Sequence, residues 1–494
     1  MRQIHASANG IAGGSASPAR RIRLAFTLVE MLVATVLTLL LVLALSQAIQ
    51  VVSTTVAANR VTLEMASRVR GVALRWQQDV QGCTVPVRPW PQQGSNYGYL
   101  EYFEGPASDL DADHDGTPDA VQPGADTSMG DVDDYLALTV RSPDGVFFVG
   151  RVWGALQPLT NGTTRVATGA GVHDRWSTIQ SRDAEVIWWL QLQPDGTRTL
   201  HRRVLLVRPD LRFFGVVHTL SHQQFFNMND VSARYERAHW EANSLADLSR
   251  RENRYGHNRA SGFPFRLDPS LVLPLADLVW AGGGVTVYSN RLGEDVMLAN
   301  VKAFDLRVFD PLAVIQRENV SGDAVSPGDP GFSASGTPIG LGAYVDLAYG
   351  WKLNLPTAFG SSFFAPPHFR SGLTQMSGSA VTAAYPTYDT WTFDYEHDGL
   401  DQDGDGESGS PVFMGMKQAN GMDNNGNGLV DENIDEGTNG LDDDGVNGVD
   451  DVGERETSPP YPVALRGLQV RIRVIEPSSR QVRQETITAS FVPE

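Results

Sequence analysis

Ala25-Phe26-Thr27-Leu28-Val29-Glu30-Met31 stands between a basic leader and a long apolar run, and Glu30 is the only charge from Phe26 to Ile49. At a rise of about 1.5 Å per residue, a helix over that run reaches across the roughly 30 Å hydrocarbon core of a bilayer. Arg20, Arg21 and Arg23 lie just before it. Positive charge is retained on the cytoplasmic side, so residues 1–24 are expected in the cytoplasm and the C-terminal bulk outside, in a single pass. A secretory signal is the competing reading, since Ala44-Leu45-Ser46 offers a small-x-small cleavage site. Such a signal has an apolar core of only about 7 to 15 residues and carries no acid within it, and neither property fits.

The same residues resemble the prepilin-type cleavage and methylation motif of type IV pilins and type II secretion pseudopilins. The resemblance implies that a prepilin peptidase cuts after Ala25 on the cytoplasmic side and methylates the new N-terminal Phe26. Ala25 stands where the family usually has glycine, and the leader of 25 residues is on the long side. A cut there leaves a cationic amine at the membrane end of the helix, with Glu30 one turn into the apolar layer. A charged side chain at mid-bilayer costs about 2.5 to 3.5 kcal/mol on insertion scales, less near the interface, so this acid is expected to find a partner. In the family the partner is the N-terminal amine of an adjacent subunit, which makes Glu30 the expected assembly residue. Snorkelling of Glu30 to the headgroups is the alternative.

The helical pattern continues beyond the membrane. Met65, Val69, Val72 and Trp76 recur at i, i+4, i+7 and i+11, and Arg60, Glu64, Arg68, Arg70 and Arg75 take other faces, so an amphipathic helix is expected to about Gln81, with Gly82 as its stop. The remainder, 83–494, is acidic overall: the chain carries a net charge of -19, which argues against nucleic acid as the main partner. With 10 Trp and 20 Phe, it has the apolar material for a large folded head. Pro143-Asp144-Gly145, between 135–140 and 146–149, and Pro194-Asp195-Gly196, between 185–192 and 199–207, signal hairpins. Near the C-terminus Leu468, Val470, Ile472 and Val474 alternate with Gln469, Arg471, Arg473 and Ile475. The expected fold class is α+β: a long N-terminal membrane-spanning helix (26–82, with 26–49 in the bilayer), then a mainly antiparallel β head with one face of the sheet packed.

Arg75-Trp76-Gln77-Gln78-Asp79-Val80-Gln81, Glu185-Val186, Leu200-His201-Arg202-Arg203 and Leu465-Arg466-Gly467-Leu468-Gln469-Val470 are similar to segments of the J-type minor pseudopilin and the W-type minor pilin. The head is about twice the length usual for a J-type subunit, so the stretches near 209–300 and 310–460 read as elaborations.

Two acidic stretches, 109–119 and 398–456, have chemistry of their own. Asp111, Asp113, Asp115 and Asp119 place oxygens at loop positions 1, 3, 5 and 9, with Gly116 at position 6 for the sharp turn, as calcium loops require. Asp401, Asp403 and Asp405 begin a second series, and Asp423, Asn425, Asn427 and Asp431 form its most complete loop. Asp435, Asn439 and Asp443, then Asp443, Asn447 and Asp451, repeat the spacing in tandem. The series resembles the calcium repeats of thrombospondin type 3 and dockerin-like segments. No loop has the bidentate Glu at position 12, and Gly437 and Gly445 take third-position ligand places, so the calcium sites are expected to be weak. The competing reading is a solvated, Gly-rich acidic loop of Asx turns.

Other constellations point to no catalysis. Cys83 is the only cysteine, so no intrachain disulfide is available and the thiol has no activating base nearby in sequence. His218-x-x-x-His222 lacks the glutamate of a zinc-protease helix, and its flanking phenylalanines suggest strand. Ser244-x-x-Asp247 reads as a capping box for a short helix through Arg254, with Arg250, Arg251 and Arg254 as its solvated face. With no nucleophile elbow, P-loop or dinucleotide fingerprint, the chain is not expected to be an enzyme. The expected function is that of a minor pseudopilin in a type II secretion-like apparatus of the inner membrane. Its partners would be other pilin-like subunits, the prepilin peptidase and secreted protein cargo. A minor type IV pilin with an adhesive head, and a membrane-anchored calcium-binding surface protein that does not polymerise, are the alternatives.

Overall fold

A computed structural model of the chain describes residues 27–89, 91, 96–104, 131–132, 134–167, 176–193, 197–215, 220–257, 295–318, 322–329, 331–333, 336–349, 369, 387–397, 459, 461, 463–477 and 480–491. One helix, α1, runs from Leu28 to Gln81, and the chain divides into two compact units between Leu63 and Glu64. The first unit holds the apolar part of α1, where the large apolar side chains from Leu28 to Val56 are exposed to a solvent they do not suit. By length and composition this helix can cross a membrane.

In the second unit the amphipathic stripe of α1 becomes core. Met65, Val69, Val72, Trp76 and Val80 are buried, at the spacing read from sequence, and Trp76 is wholly enclosed. Burial of side chains of this size contributes roughly 1.5–3 kcal/mol each. Asp79 fixes the helix end: its carboxylate accepts from Trp188 Nε1 at 3.0 Å and from Arg202 Nε and Nη2 at 2.6 and 2.8 Å. The helix ends at Gln81, and the position after it, Gly82, admits only glycine. A Cβ there would lie 2.8 Å from Val140 Cγ1 and 2.9 Å from the Arg141 carbonyl oxygen.

The strands are β1 (Leu100–Phe103), β2 (Tyr135–Arg141), β3 (Phe148–Trp153), β4 (Ala155–Pro158), β5 (Thr164–Ala167) and β6 (Trp176–Ser181). Next come β7 (Asp183–Leu192), β8 (Arg198–Leu206), β9 (Leu211–Phe214), helix α2 (His222–Met228), β10 (Ala233–Glu236) and β11 (His239–Ala242). The last are β12 (Val296–Ala299), β13 (Val301–Arg317), β14 (Ala324–Val325), β15 (Pro338–Val345), β16 (Thr387–Asp389), β17 (Gly467–Ile475) and β18 (Val482–Ser490).

A central antiparallel sheet has the order β12-β8-β7-β2-β1-β16. Both of its faces are covered. Leu136, Leu138, Val186 and Trp188 join the core shared with α1 and with the sheet β14-β13-β17-β18, whereas Tyr135, Ala137, Ile187 and Trp189 face a second core. The second core is filled from the sheet β10-β11-β9-β5-β4, the ribbon β3-β6 and α2. This doubled burial is why Tyr135–Leu138 is an apolar run without polar alternation, and it corrects the expectation of one packed face for that sheet. The expectation fits β17 in part: Leu468, Val470, Ile472 and Val474 are buried and Arg471 and Arg473 are partly exposed, but Gln469 on that second face is buried too.

The hairpin signals divide. The strands flanking 194–196 pair as β7 and β8 from Ala184↔Leu206 to Leu192↔Arg198, and β17 pairs β18 over nine residues without a bulge. Pro143-Asp144-Gly145 does turn, with Gly145 at φ 79° and the Val146 N–H bonded to the Pro143 carbonyl, but it joins no hairpin. Both edges of β2 are taken by β1 and β7, so β3 leaves the sheet and pairs β6 instead. The segment around His222 is helix, not strand. Ser221 and Gln224 form a reciprocal capping box at the start of α2, and of the phenylalanines flanking the two histidines Phe225 and Phe226 are its buried face, whereas Phe213 and Phe214 do lie on strand β9; His218 lies outside the described residues.

Candidate functional site

At the start of α1, Glu30 is bonded within its own chain. Its carboxylate accepts from the Thr27 N–H at 2.9 Å and from the Thr27 hydroxyl at 3.0 Å, while the Glu30 N–H donates to Thr27 Oγ1 at 3.2 Å. This is a capping box, in which N-cap and N3 side chains satisfy each other's backbone donors and place an anion at the positive end of the helix. The spacing Thr-x-x-Glu before an apolar run is a sequence-level signal for it. Ala25 and Phe26, the expected processing residues, lie outside the described residues.

So do all the expected calcium ligands: Asp111, Asp113, Asp115 and Asp119, and the series from Asp401 through Asp403, Asp405, Asp423, Asn425, Asn427, Asp431, Asp435, Asn439, Asp443 and Asn447 to Asp451. A different acidic group is described. Glu104, Asp131 and Asp134 are buried, each with a carboxylate oxygen within 4.8 Å of the others, and together they could hold a metal ion. Three elements of structure position them. Glu104 follows β1 and accepts from the Leu347 N–H at 3.2 Å and from the Tyr102 hydroxyl. Asp134 precedes β2 and accepts from the Leu306 N–H of β13 at 2.7 Å, and the Asp131 carbonyl accepts from Phe304 N–H at 2.9 Å.

An all-carboxylate donor set suits a hard cation such as Ca²⁺, Mg²⁺ or Mn²⁺ rather than zinc. Concentrated negative charge is felt next door. Burial, and then the carboxylates of Asp134, Glu104 and Asp346, hold the Tyr102 phenol well above its usual range. The sequence carried one hint of this trio: Glu104 and Asp131 bracket 105–130, the stretch that contains the Asp111 loop. Nothing in local spacing brings them together, because β13 supplies the donors that fix two of the three.

A second charged cluster corrects the reading of 244–254. The Ser244 and Asp247 capping contacts form, with the Ser244 N–H to Asp247 Oδ2 at 2.8 Å and the Asp247 N–H to Ser244 Oγ at 3.1 Å. They lead into two short 3-10 turns, Asp247–Ser249 and Arg251–Asn253, and Arg251 and Arg254 are buried rather than solvated. Arg254 Nη1 lies 2.7 Å from both Glu101 Oε2 and Asp389 Oδ2, and its guanidinium stands 4.1 Å from the ring centre of Tyr99. Arg251 reaches Glu101 at 3.2 Å and also pairs with Asp389, and His257 Nε2 is 3.1 Å from Glu101. Burial alone would raise the Glu101 carboxyl, but Arg251, His257 and Arg254 hold it well below the usual carboxylate range. Every charge here has an opposite charge in contact, so the cluster clamps 247–257 against β1 and β16.

Cys83 lines a cavity of about 430 Å³ together with Val80, Val87, Leu465 and Phe491. Burial pushes its thiol up to about 12, so it is not a thiolate at neutral pH. His222 packs edge-on to Trp240 with ring centres 4.8 Å apart. No protein-family model matches the chain, and no curated protein and no solved structure matches it.

Proposed function

We propose that the chain is a minor pseudopilin, a structural subunit inserted in the cytoplasmic membrane through α1, with its β head on the extracytoplasmic side. The observation that carries this reading is the placement of Glu30. The single carboxylate of a 24-residue apolar run, 26–49, sits in the first turn of a helix whose second half is core to a β head. In this reading processing after Ala25 frees the amine of Phe26, and the Glu30 carboxylate pairs with the amine of a neighbouring subunit as helices pack into a filament. The membrane-extracted protein is expected to begin with N-methylated Phe26 on N-terminal sequencing. Glu30→Ala is expected to abolish incorporation into filaments, scored by cross-linking to neighbouring subunits, and unchanged incorporation would sink the assembly role.

A calcium-binding head is a second reading, favoured by the buried trio Glu104, Asp131 and Asp134. The trio would hold one cation at the root of the 105–130 stretch, and the Asp-rich loops would hold others. Calcium is then expected to raise the melting temperature of the full chain in detergent and to protect 398–456 from protease, with EDTA reversing both. Asp134→Asn should reduce the calcium-dependent shift in melting temperature while leaving the protection of 398–456 in place. If EDTA changes neither property, calcium has no structural role here.

A further inference from the structure

The hairpin joining β4 to β5 carries chemistry that neither assembly nor metal binding uses. The Leu159 N–H donates to the Thr163 carbonyl at 2.8 Å, closing a tip in which Thr160, Asn161 and Gly162 are all exposed. The Asn161 side-chain oxygen accepts from the Thr163 N–H at 3.2 Å and from the Thr163 hydroxyl at 2.6 Å, an Asx turn that folds the amide back along its own chain. Gly162 has φ 81°, and a Cβ built there would meet nothing within 4 Å. Its N–H makes one hydrogen bond, to the Leu159 carbonyl, at 3.3 Å, longer than the usual range.

We propose that Asn161 is a site of intramolecular deamidation, which adds a carboxylate to the tip of this hairpin as the protein ages. The Gly162 nitrogen, having lost its proton to solvent base, attacks Asn161 Cγ. The new N–Cγ bond closes a five-membered succinimide, the Cγ–Nδ2 bond breaks, and the amide nitrogen takes up a proton and leaves as ammonia. One water then opens the ring at either carbonyl, giving aspartate or isoaspartate, with no oxidation or reduction.

Several features favour the step at this position. The Thr163 hydroxyl is aimed at the oxygen on which negative charge develops, the arrangement by which hydrogen-bond donors stabilise an oxyanion. Glycine leaves the attacking nitrogen unshielded, and Thr160, Asn161 and Gly162 are exposed to the solvent base. Buried asparagines show the opposite condition. Asn243 Nδ2 donates to Ser232 Oγ at 3.1 Å and to the Asn253 carbonyl at 2.8 Å, and Asn229 Nδ2 donates to the Phe225 carbonyl at 2.9 Å. Their amides are fixed, and the residues that follow, Ser244 and Asp230, carry side chains.

The test is incubation of the full chain in detergent at mildly alkaline pH, followed by trypsin and mass spectrometry of the peptide 152–165. The expected result is a growing amide-to-acid mass shift and a second chromatographic peak containing isoaspartate. Thr163→Val should slow the reaction by removing the hydroxyl, Gly162→Ala should slow it severalfold, and Asn161→Gln should show no shift. A wild-type peptide unchanged after incubation would overturn the proposal. So would a Gly162→Ala variant reacting at the wild-type rate, or an Asn161 whose Nδ2 is already bonded to a sugar, as the Asn-Gly-Thr acceptor pattern allows.

Discussion

Arg254→Ala is expected to lower the stability of the head by about 3 to 5 kcal/mol, the cost of stranding a buried charge after removal of its partner. Arg254 contributes contacts to both Glu101 and Asp389, all three side chains are fully buried, and Arg251 would be the one arginine left to two carboxylates, with His257 in contact with Glu101. The cost is not the worth of the cluster itself, since replacing all four charges by apolar residues of similar volume is commonly neutral. A comparison within the same chain separates the two ideas. Arg141 pairs with Asp183 at 2.7 Å, closer than most surface pairs, yet its side chain is 54% exposed, so Arg141→Ala should cost about 1 kcal/mol or less. Urea denaturation of the full chain in detergent measures both. A loss for Arg254→Ala no larger than that for Arg141→Ala would mean that water reaches Glu101 and Asp389.

What could be read from sequence was what is local. The stripe Met65, Val69, Val72, Trp76 needs only a helical period to be seen, and it packs as the period requires. β7 and β8 are neighbours in sequence, so the turn cue at Pro194-Asp195-Gly196 between two apolar runs identifies the pair. The turn at Pro143-Asp144-Gly145 shows the limit. A turn cue reports that the chain reverses, not which strand it meets, and competition from β7 for the edge of β2 decides the partner. Arg251 and Arg254 fail as a reading for a related reason. Three arginines near a capping box look solvated until the partners arrive, and Glu101 and Asp389 come from positions more than a hundred residues away in sequence. The acidic trio depends in the same way on β13. Glu30 is the converse case: its spacing from Thr27 was a legible capping signal, overshadowed by the conspicuousness of an acid in an apolar run.

Acidification from neutral pH to about 4 is expected to remove up to roughly 3 kcal/mol of head stability through His201. His201 lies on β8 between the two cores, stacked on Trp189 with ring centres 5.2 Å apart and with Nε2 2.7 Å from Thr199 Oγ1. Burial lowers its pKa to about 4, against a smaller opposing pull from Asp295. In the unfolded chain the same imidazole titrates near 6.5. Above that value both states are neutral and stability does not depend on this residue. Between about 6.5 and 4 the unfolded chain binds a proton that the folded chain refuses, so stability falls as pH falls. Glu101 acts in a separate window. Its folded pKa is depressed, so its contribution is present above the usual carboxylate range and is lost only as pH drops through the depressed value. His201→Gln offers an amide to Thr199 without a titrating group, and it should flatten the slope from about 6.5 to 4 while leaving the steeper loss at lower pH in place. Urea midpoints taken across that range decide the matter. A slope that survives His201→Gln would assign the acid sensitivity to another buried group and would place His201 in contact with water.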